Sequence, residues 1–347
     1  MGLPLDNTQS PFLMACSGQV PDTTPIWIMR QAGRILQPYR ELRRQHGSIS
    51  TLFNSPELAA DITLMPIDLL GVDAAILFTD LTTPLAALGC DFTYDPGPVF
   101  ARPVRTAAEV AALREVDSET DLGFVLETVR LVRGRLPASV PLIGYAGGPF
   151  TLAAWLVEGH SSKDFPALRG MLHADPGLAH GLFERLTDLV CNYLEAQIRA
   201  GAQAVQIFDT SIGLLSPEQY DTFALPYLQR ICKHLAPLAV PIIYFPLAAA
   251  QSLSHFSQVG ANALSVDWRT DLDAARASFG ANRPLQGNLD PCALYGTEEN
   301  LIAAVRRILA QSEGQPHIFN LGHGVFPDTP YAMVKLLVET VHEFSRK

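Results

Sequence analysis

Three features of the sequence predict a (β/α)8 TIM-type barrel: eight short apolar runs rich in β-branched residues, longer stretches of helical periodicity between them, and no linker or low-complexity tract that would divide the 347 residues. The runs fall at 25–29, 73–78, 141–145, 204–208, 241–245, 263–268, 284–288 and 317–321, each close to the length of a buried strand. Ser55-Pro56-Glu57 places a cap, a proline at the first helical turn and an acidic residue ahead of apolar spacing that continues to Leu70. Ser216-Pro217-Glu218 repeats that signal. Further helices are expected over 109–113, 119–136, 176–200, 217–235, 248–259, 271–279, 298–311 and 331–344, with Gly201 and Gly260 where helix stops belong. An open doubly wound sheet is the alternative, but no G-x-G-x-x-G follows the first run.

With 48% hydrophobic and 17% charged residues, the chain has the means for a large core, and disorder is set aside. No apolar run reaches the roughly 18 residues of a membrane span. Residues Met1 to Ser10 carry Asp6 and no basic residue, so a cytoplasmic protein is expected. Residues 1–20 read as a partly flexible N-terminal extension of a single domain, 1–347. A net charge of -10 argues against nucleic acid as partner. Five cysteines without a C-x-x-C pair suit reduced thiols rather than disulfides or structural zinc.

In a barrel of this kind chemistry sits at the C-terminal ends of the strands. The first run leads into Met29-Arg-Gln-Ala-Gly-Arg34, where Arg30 and Arg34 can face one space, each offering a rigid fork that fits a carboxylate or phosphate. The second leads into Asp80, which is also well suited to capping the following turn. The fourth leads into Asp209 and Thr210, the sixth ends on Asp267 and Trp268, and the eighth leads into Gly322-His323-Gly324, where flanking glycines suggest close approach of the backbone. A Schiff-base mechanism lacks a lysine in any expected strand, and neither a P-loop nor an H-x-x-x-H metal motif is present. Arginines, a central aspartate and a histidine leave decarboxylase or lyase chemistry on a polyanion, the buried carboxylate stabilising a developing cation.

The chain resembles the uroporphyrinogen decarboxylase family from about residue 25 to its C-terminus. The resemblance rests on Met29–Arg34, Phe78-Thr-Asp80, Gly147-Gly-Pro-Phe-Thr-Leu152, Val157-Glu-Gly159, Gln206-Ile-Phe-Asp-Thr210, Phe223-Ala-Leu-Pro-Tyr227, Gln286-Gly-Asn-Leu-Asp-Pro-Cys-Ala-Leu294 and Asn320-Leu-Gly-His-Gly324. It implies the barrel fold, a homodimer with facing clefts, and cofactor-independent conversion of the four acetates of uroporphyrinogen III to methyls. It also implies roles. Asp80 would be the catalytic residue beneath the macrocycle, accepting the pyrrole N–H groups and stabilising the cation of the protonated ring. Arg30, Gln31, Ala32, Gly33, Arg34, Thr210 and His323 would bind the polycarboxylate, with Arg43 a further candidate. No metal and no cofactor are implied.

The chain departs from the family pattern at Trp155, where a tyrosine is usual; an indole N–H donates a hydrogen bond but cannot accept one. Tyr244-Phe-Pro-Leu-Ala-Ala249 lacks the usual glycine-containing turn, and Gln37-Pro38 departs after Arg34. Two other readings follow. A corrinoid-linked methyltransferase would need a zinc-thiolate set, but Tyr244-Phe-Pro246 and His323 stand where its ligands belong. A non-catalytic or altered-specificity paralogue would bind a tetrapyrrole without decarboxylating it, and Trp155 is the feature that favours it.

Overall fold

A computed structural model describes residues 10–94 and 97–346. Among the described residues nine strands form: β1 (Ala75–Ile76), β2 (Phe92–Tyr94), β3 (Pro98–Phe100), β4 (Leu142–Gly147), β5 (Ala204–Asp209), β6 (Ile242–Pro246), β7 (Ala263–Ser265), β8 (Leu285–Leu289) and β9 (His317–Leu321). Seven of them make one parallel sheet in the order β1-β4-β5-β6-β7-β8-β9, while β2 and β3 form a separate antiparallel hairpin. Helices such as Pro56–Leu70, Pro176–Ala200 and Glu298–Gln311 connect successive barrel strands, as parallel neighbours require.

The eighth stave is the segment expected as a strand over 25–29, and it differs from a strand. It makes a single parallel bridge, Ile26 to Phe319, in which Phe319 N–H donates to Pro25 O at 2.8 Å. On its other edge Asp73 N–H donates to Ile26 O at 2.8 Å, and Ile26 N–H donates to Asp73 Oδ2 at 2.7 Å. Trp27 N–H still reaches Phe319 O at 3.4 Å, but beyond it the amides bond side chains: Ile28 N–H donates to Gln31 Oε1 and Met29 N–H to Asn320 Oδ1. The stave thus closes the (β/α)8 barrel, then turns away at Arg30, whose φ of 63° ends any extended run.

Other differences have local causes. The helix expected over 217–235 is two, Pro217–Phe223 and Leu225–Leu235, because Pro226 has no N–H to continue the ladder and Ala224 leaves helical geometry. The one expected over 119–136 breaks at Leu122 (φ -122°) into Ser118–Asp121 and Gly123–Arg135. The segment Ala250–Gln258 is 3-10 rather than α-helical, with Ser252 outside helical geometry. Of the N-terminal extension expected over 1–20, residues 1–9 lie outside the described residues; Pro11–Cys16 is a helix capped by Ser10, with Phe12 and Ala15 fully buried.

One buried polar network crosses the barrel interior. Trp27 Nε1 donates to Gln286 Oε1 at 2.8 Å, and Gln286 Nε2 donates to Gln206 Oε1 (3.0 Å) and Ser265 Oγ (2.9 Å). Four staves are thereby tied across the interior by buried polar groups, where low polarity strengthens each bond. Among the described residues no helix is long and apolar enough to cross a membrane.

Candidate active site

The polar residues at the strand ends converge on one mouth. Met29 is pinned from both directions: its N–H donates to Asn320 Oδ1 (3.1 Å), and its carbonyl accepts from Val325 N–H (3.1 Å). Arg30 follows, and its stem lies against Gly324, where an added Cβ would stand 2.4 Å from Arg30 Cδ and 2.6 Å from Cγ. Only a glycine allows this approach, so the first and last strand-end loops share a wall. Burial lowers the pKa of the Arg30 guanidinium, Asp80 and Tyr145 oppose that, and Arg34 adds to it; these four groups occupy one electrostatic neighbourhood.

Asp80 is half-buried after β1. Its Oδ1 accepts from Thr82 N–H at 2.9 Å and from the Thr82 hydroxyl, while its own N–H donates to Thr83 Oγ1 at 3.3 Å. The turn-capping role is therefore real, and it occupies one carboxylate oxygen. Asp80 Oδ2 accepts no hydrogen bond from Thr82 or Thr83 and has only the Tyr94 phenol nearby among the described residues.

Two tyrosines complete this corner, and the sequence alone did not single them out. Tyr145, on β4, donates to Thr79 O at 2.5 Å; burial first, then Asp80, pushes its phenol well above the ordinary range. Tyr94, at the end of β2, stands beside Asp80, Thr82 and Thr83, and burial followed by the Asp80 charge raises it too. A polar ring at the C-terminal end of a barrel strand was a usable signal for Tyr145. Tyr94 reaches the site only through the fold of the hairpin, so local sequence carried none.

His323 is half-buried between Gly322 and Gly324. Burial, the charge of Arg30 and, further down, that of Arg269 push its pKa to about 4. The imidazole is therefore neutral at pH 7, with one N–H to donate and no positive charge.

The remaining expected residues divide. Gln31 is a correction: it is 0% exposed, its Oε1 accepts from Ile28 N–H, and its Nε2 donates to Ala74 O. Both ends of its side chain are spent on the barrel seam, so it supports the loop and offers a ligand nothing. Ala32, Gly33 and Arg34, by contrast, have backbone N–H groups with no acceptor among the described residues, and such a run of free amides is ready to receive an anion. Arg34 is exposed. Arg43 donates to Gly47 O and helps hold its own turn. Thr210 is half-buried at the end of β5 and its hydroxyl makes no hydrogen bond among the described residues. Trp155, on the helix Pro149–Glu158, is half-buried, edge-on to Phe165 at 6.0 Å and close under Gly97 of the hairpin.

Asp209, beside Thr210, is fully buried beneath the mouth. Its Oδ1 accepts from Thr151 Oγ1 (2.5 Å) and its Oδ2 from Tyr244 OH (3.3 Å). Burial pushes its carboxyl from the ordinary 3.8 up to about 6, against those hydrogen bonds. A folded-state pKa above the unfolded one means that folding favours the protonated form. This contribution to stability is full below about pH 4 and is lost as pH rises through about 6. Asp209→Asn is therefore expected to flatten the decline in melting temperature over that window. Parallel wild-type and variant curves from pH 4 to 6 would show that Asp209 does not titrate there.

Among the described residues no three His, Cys, Asp or Glu side chains converge as a metal site would require. Fold and site together define a (β/α)8 barrel whose mouth sets guanidinium groups around one carboxylate, an arrangement for anionic substrates.

The model of the uroporphyrinogen decarboxylase (URO-D) family matches residues 7–344, and the chain belongs to that family. It is 46% identical over 337 residues to the uroporphyrinogen decarboxylase of Geobacter sp. (strain M21), covering 97% of this chain and 99% of the relative. The uroporphyrinogen decarboxylase of Geobacter sulfurreducens is 44% identical over the same shares. Among solved structures, a methyltransferase from Methanosarcina mazei superposes with a TM-score of 0.78 at 22% identity, covering 96% of this chain and 98% of that one. That likeness concerns the fold alone.

Proposed function

We propose that this protein removes the four acetate carboxylates of uroporphyrinogen III, giving coproporphyrinogen III in haem biosynthesis. A proton adds to a pyrrole carbon, and the cation so formed accepts the electron pair as the bond to the carboxylate breaks and carbon dioxide leaves. The resulting methylene takes up a proton and the ring carbon loses one. Each round thus consumes one proton and leaves a methyl group. The protonated ring is its own electron sink. What the protein must supply is charge: cations and donors for the carboxylates, and an anion facing the ring.

The observation that carries this reading is Asp80 held through Oδ1 by Thr82, with Oδ2 accepting no hydrogen bond among the described residues beyond the neighbouring Tyr94 phenol, in the same electrostatic neighbourhood as Arg30 and Arg34. Pyrrole N–H groups are donors and suit that oxygen. Arg30, Arg34, the free amides of Ala32 and Gly33, the Thr210 hydroxyl and neutral His323 then receive the carboxylates. Trp155, under the hairpin, shapes the wall. The same reading makes the protein a cytoplasmic homodimer with facing clefts.

Anaerobic incubation of the purified protein with uroporphyrinogen III, followed by oxidation and chromatographic counting of carboxylates, tests the proposal. Stepwise loss to the four-carboxylate product is the expected result. Binding without loss would make the chain a non-catalytic paralogue.

A further inference from the structure

The loop after β7, Asp267-Trp268-Arg269, packs directly on the loop that carries His323. A Cβ added at Gly322 would stand 2.4 Å from Trp268 N and 2.9 Å from Asp267 Cα. His323 therefore sits between two close approaches, with the Arg30 stem against Gly324 on one side and the β7 loop against Gly322 on the other.

Asp267 is only 2% exposed, and its oxygens are already satisfied by backbone: Oδ1 accepts from Arg269 N–H (2.8 Å) and Oδ2 from Ala248 N–H (2.6 Å). Arg269 Nη1 adds one contact to Oδ2, at 3.2 Å. The guanidinium carbon lies over the Trp268 ring, 4.0 Å from its centroid, a cation–π contact that restrains the side chain. A guanidinium present only to neutralise Asp267 would be expected to bond it through two nitrogens. Here a single nitrogen touches the carboxylate, the remaining donors have no partner among the described residues, and the side chain is 49% exposed.

We infer that Arg269 is a further substrate-binding residue, a rigid guanidinium that receives a carboxylate of the polyanionic substrate across His323 from Arg30. The inference rests on the decarboxylase reading above for the identity of that substrate. The charge of the substrate supports it. Arg269 adds a third guanidinium to Arg30 and Arg34, toward a substrate that begins with eight carboxylates. The share of Arg269 in lowering the His323 pKa places the two within electrostatic reach.

The test compares full-length wild type, Arg269→Gln and Arg269→Lys on uroporphyrinogen III under anaerobic conditions, with melting temperatures recorded alongside. For Arg269→Gln the expected result is a KM about tenfold higher, kcat within about twofold of wild type and an unchanged melting temperature, with Arg269→Lys between the two. An unchanged KM overturns the inference. So does a lowered melting temperature with kcat falling in step, which would make Arg269 the counter-charge of Asp267 only. If the wild type does not turn over, the decarboxylase reading fails, and Arg269 is judged by retention of the same compound in ultrafiltration. Equal retention by wild type and Arg269→Gln, including none by either, then overturns the inference as well.

Discussion

Asp80→Asn is expected to lower kcat about 10³-fold while KM stays within about threefold. The substitution is informative because Asp80 has two separable tasks. Oδ1 accepts from Thr82 N–H and the Thr82 hydroxyl, and an asparagine oxygen does the same, so the turn after β1 is preserved. The other oxygen becomes an amide nitrogen, a donor facing the pyrrole donors, and the negative charge that would stabilise a protonated ring is gone. Shape is kept and electrostatics are reversed. Anaerobic turnover measured beside the melting temperature separates the two tasks, and near-normal turnover would remove Asp80 from the mechanism.

The second large effect is expected from Arg30→Lys, which should raise KM by about 30-fold with a smaller loss in kcat. The stem of Arg30 is seated against Gly324, and a lysine can follow that path. It cannot reproduce the fork. An ammonium is a point charge with no planar pair of donors, so a bidentate grip on a carboxylate becomes a single contact on a flexible arm. Arg30 also starts from φ 63°, a backbone setting that aims its side chain along the β9 loop and that lysine shares without added cost. The comparison therefore isolates the guanidinium. An unchanged KM would mean that Arg30 is not a carboxylate clamp.

Much of this architecture is legible from local pattern. The strand expected over 317–321 and the helices expected over 176–200 and 298–311 match β9, Pro176–Ala200 and Glu298–Gln311, because a clean apolar period and a cap or stop define each end. Where the pattern misled, the deciding partner lay elsewhere in the chain. The first stave looks like a strand, but the amides of Ile28 and Met29 go to Gln31 and Asn320 rather than to a ladder. Pro226 sat in plain view within an otherwise periodic stretch and was outweighed by it.

At the mouth, the strand-end rule found Arg30, Arg34, Asp80, Thr210 and His323 as a set, and the fold brings the arginines, Asp80 and His323 into one neighbourhood. The same rule over-assigned Gln31, whose side chain points into the seam. It passed over Tyr94, which no local rule could reach, because a two-stranded hairpin outside the barrel delivers it.

How the barrel closes has a consequence for which substitutions the fold tolerates. A ladder of backbone hydrogen bonds is nearly indifferent to side-chain identity, so seven staves accept many apolar sequences. The eighth is fastened by Asp73, Gln31, Asn320 and, through Trp27, Gln286. Each of these four holds the segment on which Arg30 and Arg34 are mounted. Much of the information that positions Arg30 and Arg34 is thus stored in side-chain amides and a carboxylate, where a single substitution removes a fastening that the few backbone bonds of this stave only partly replace.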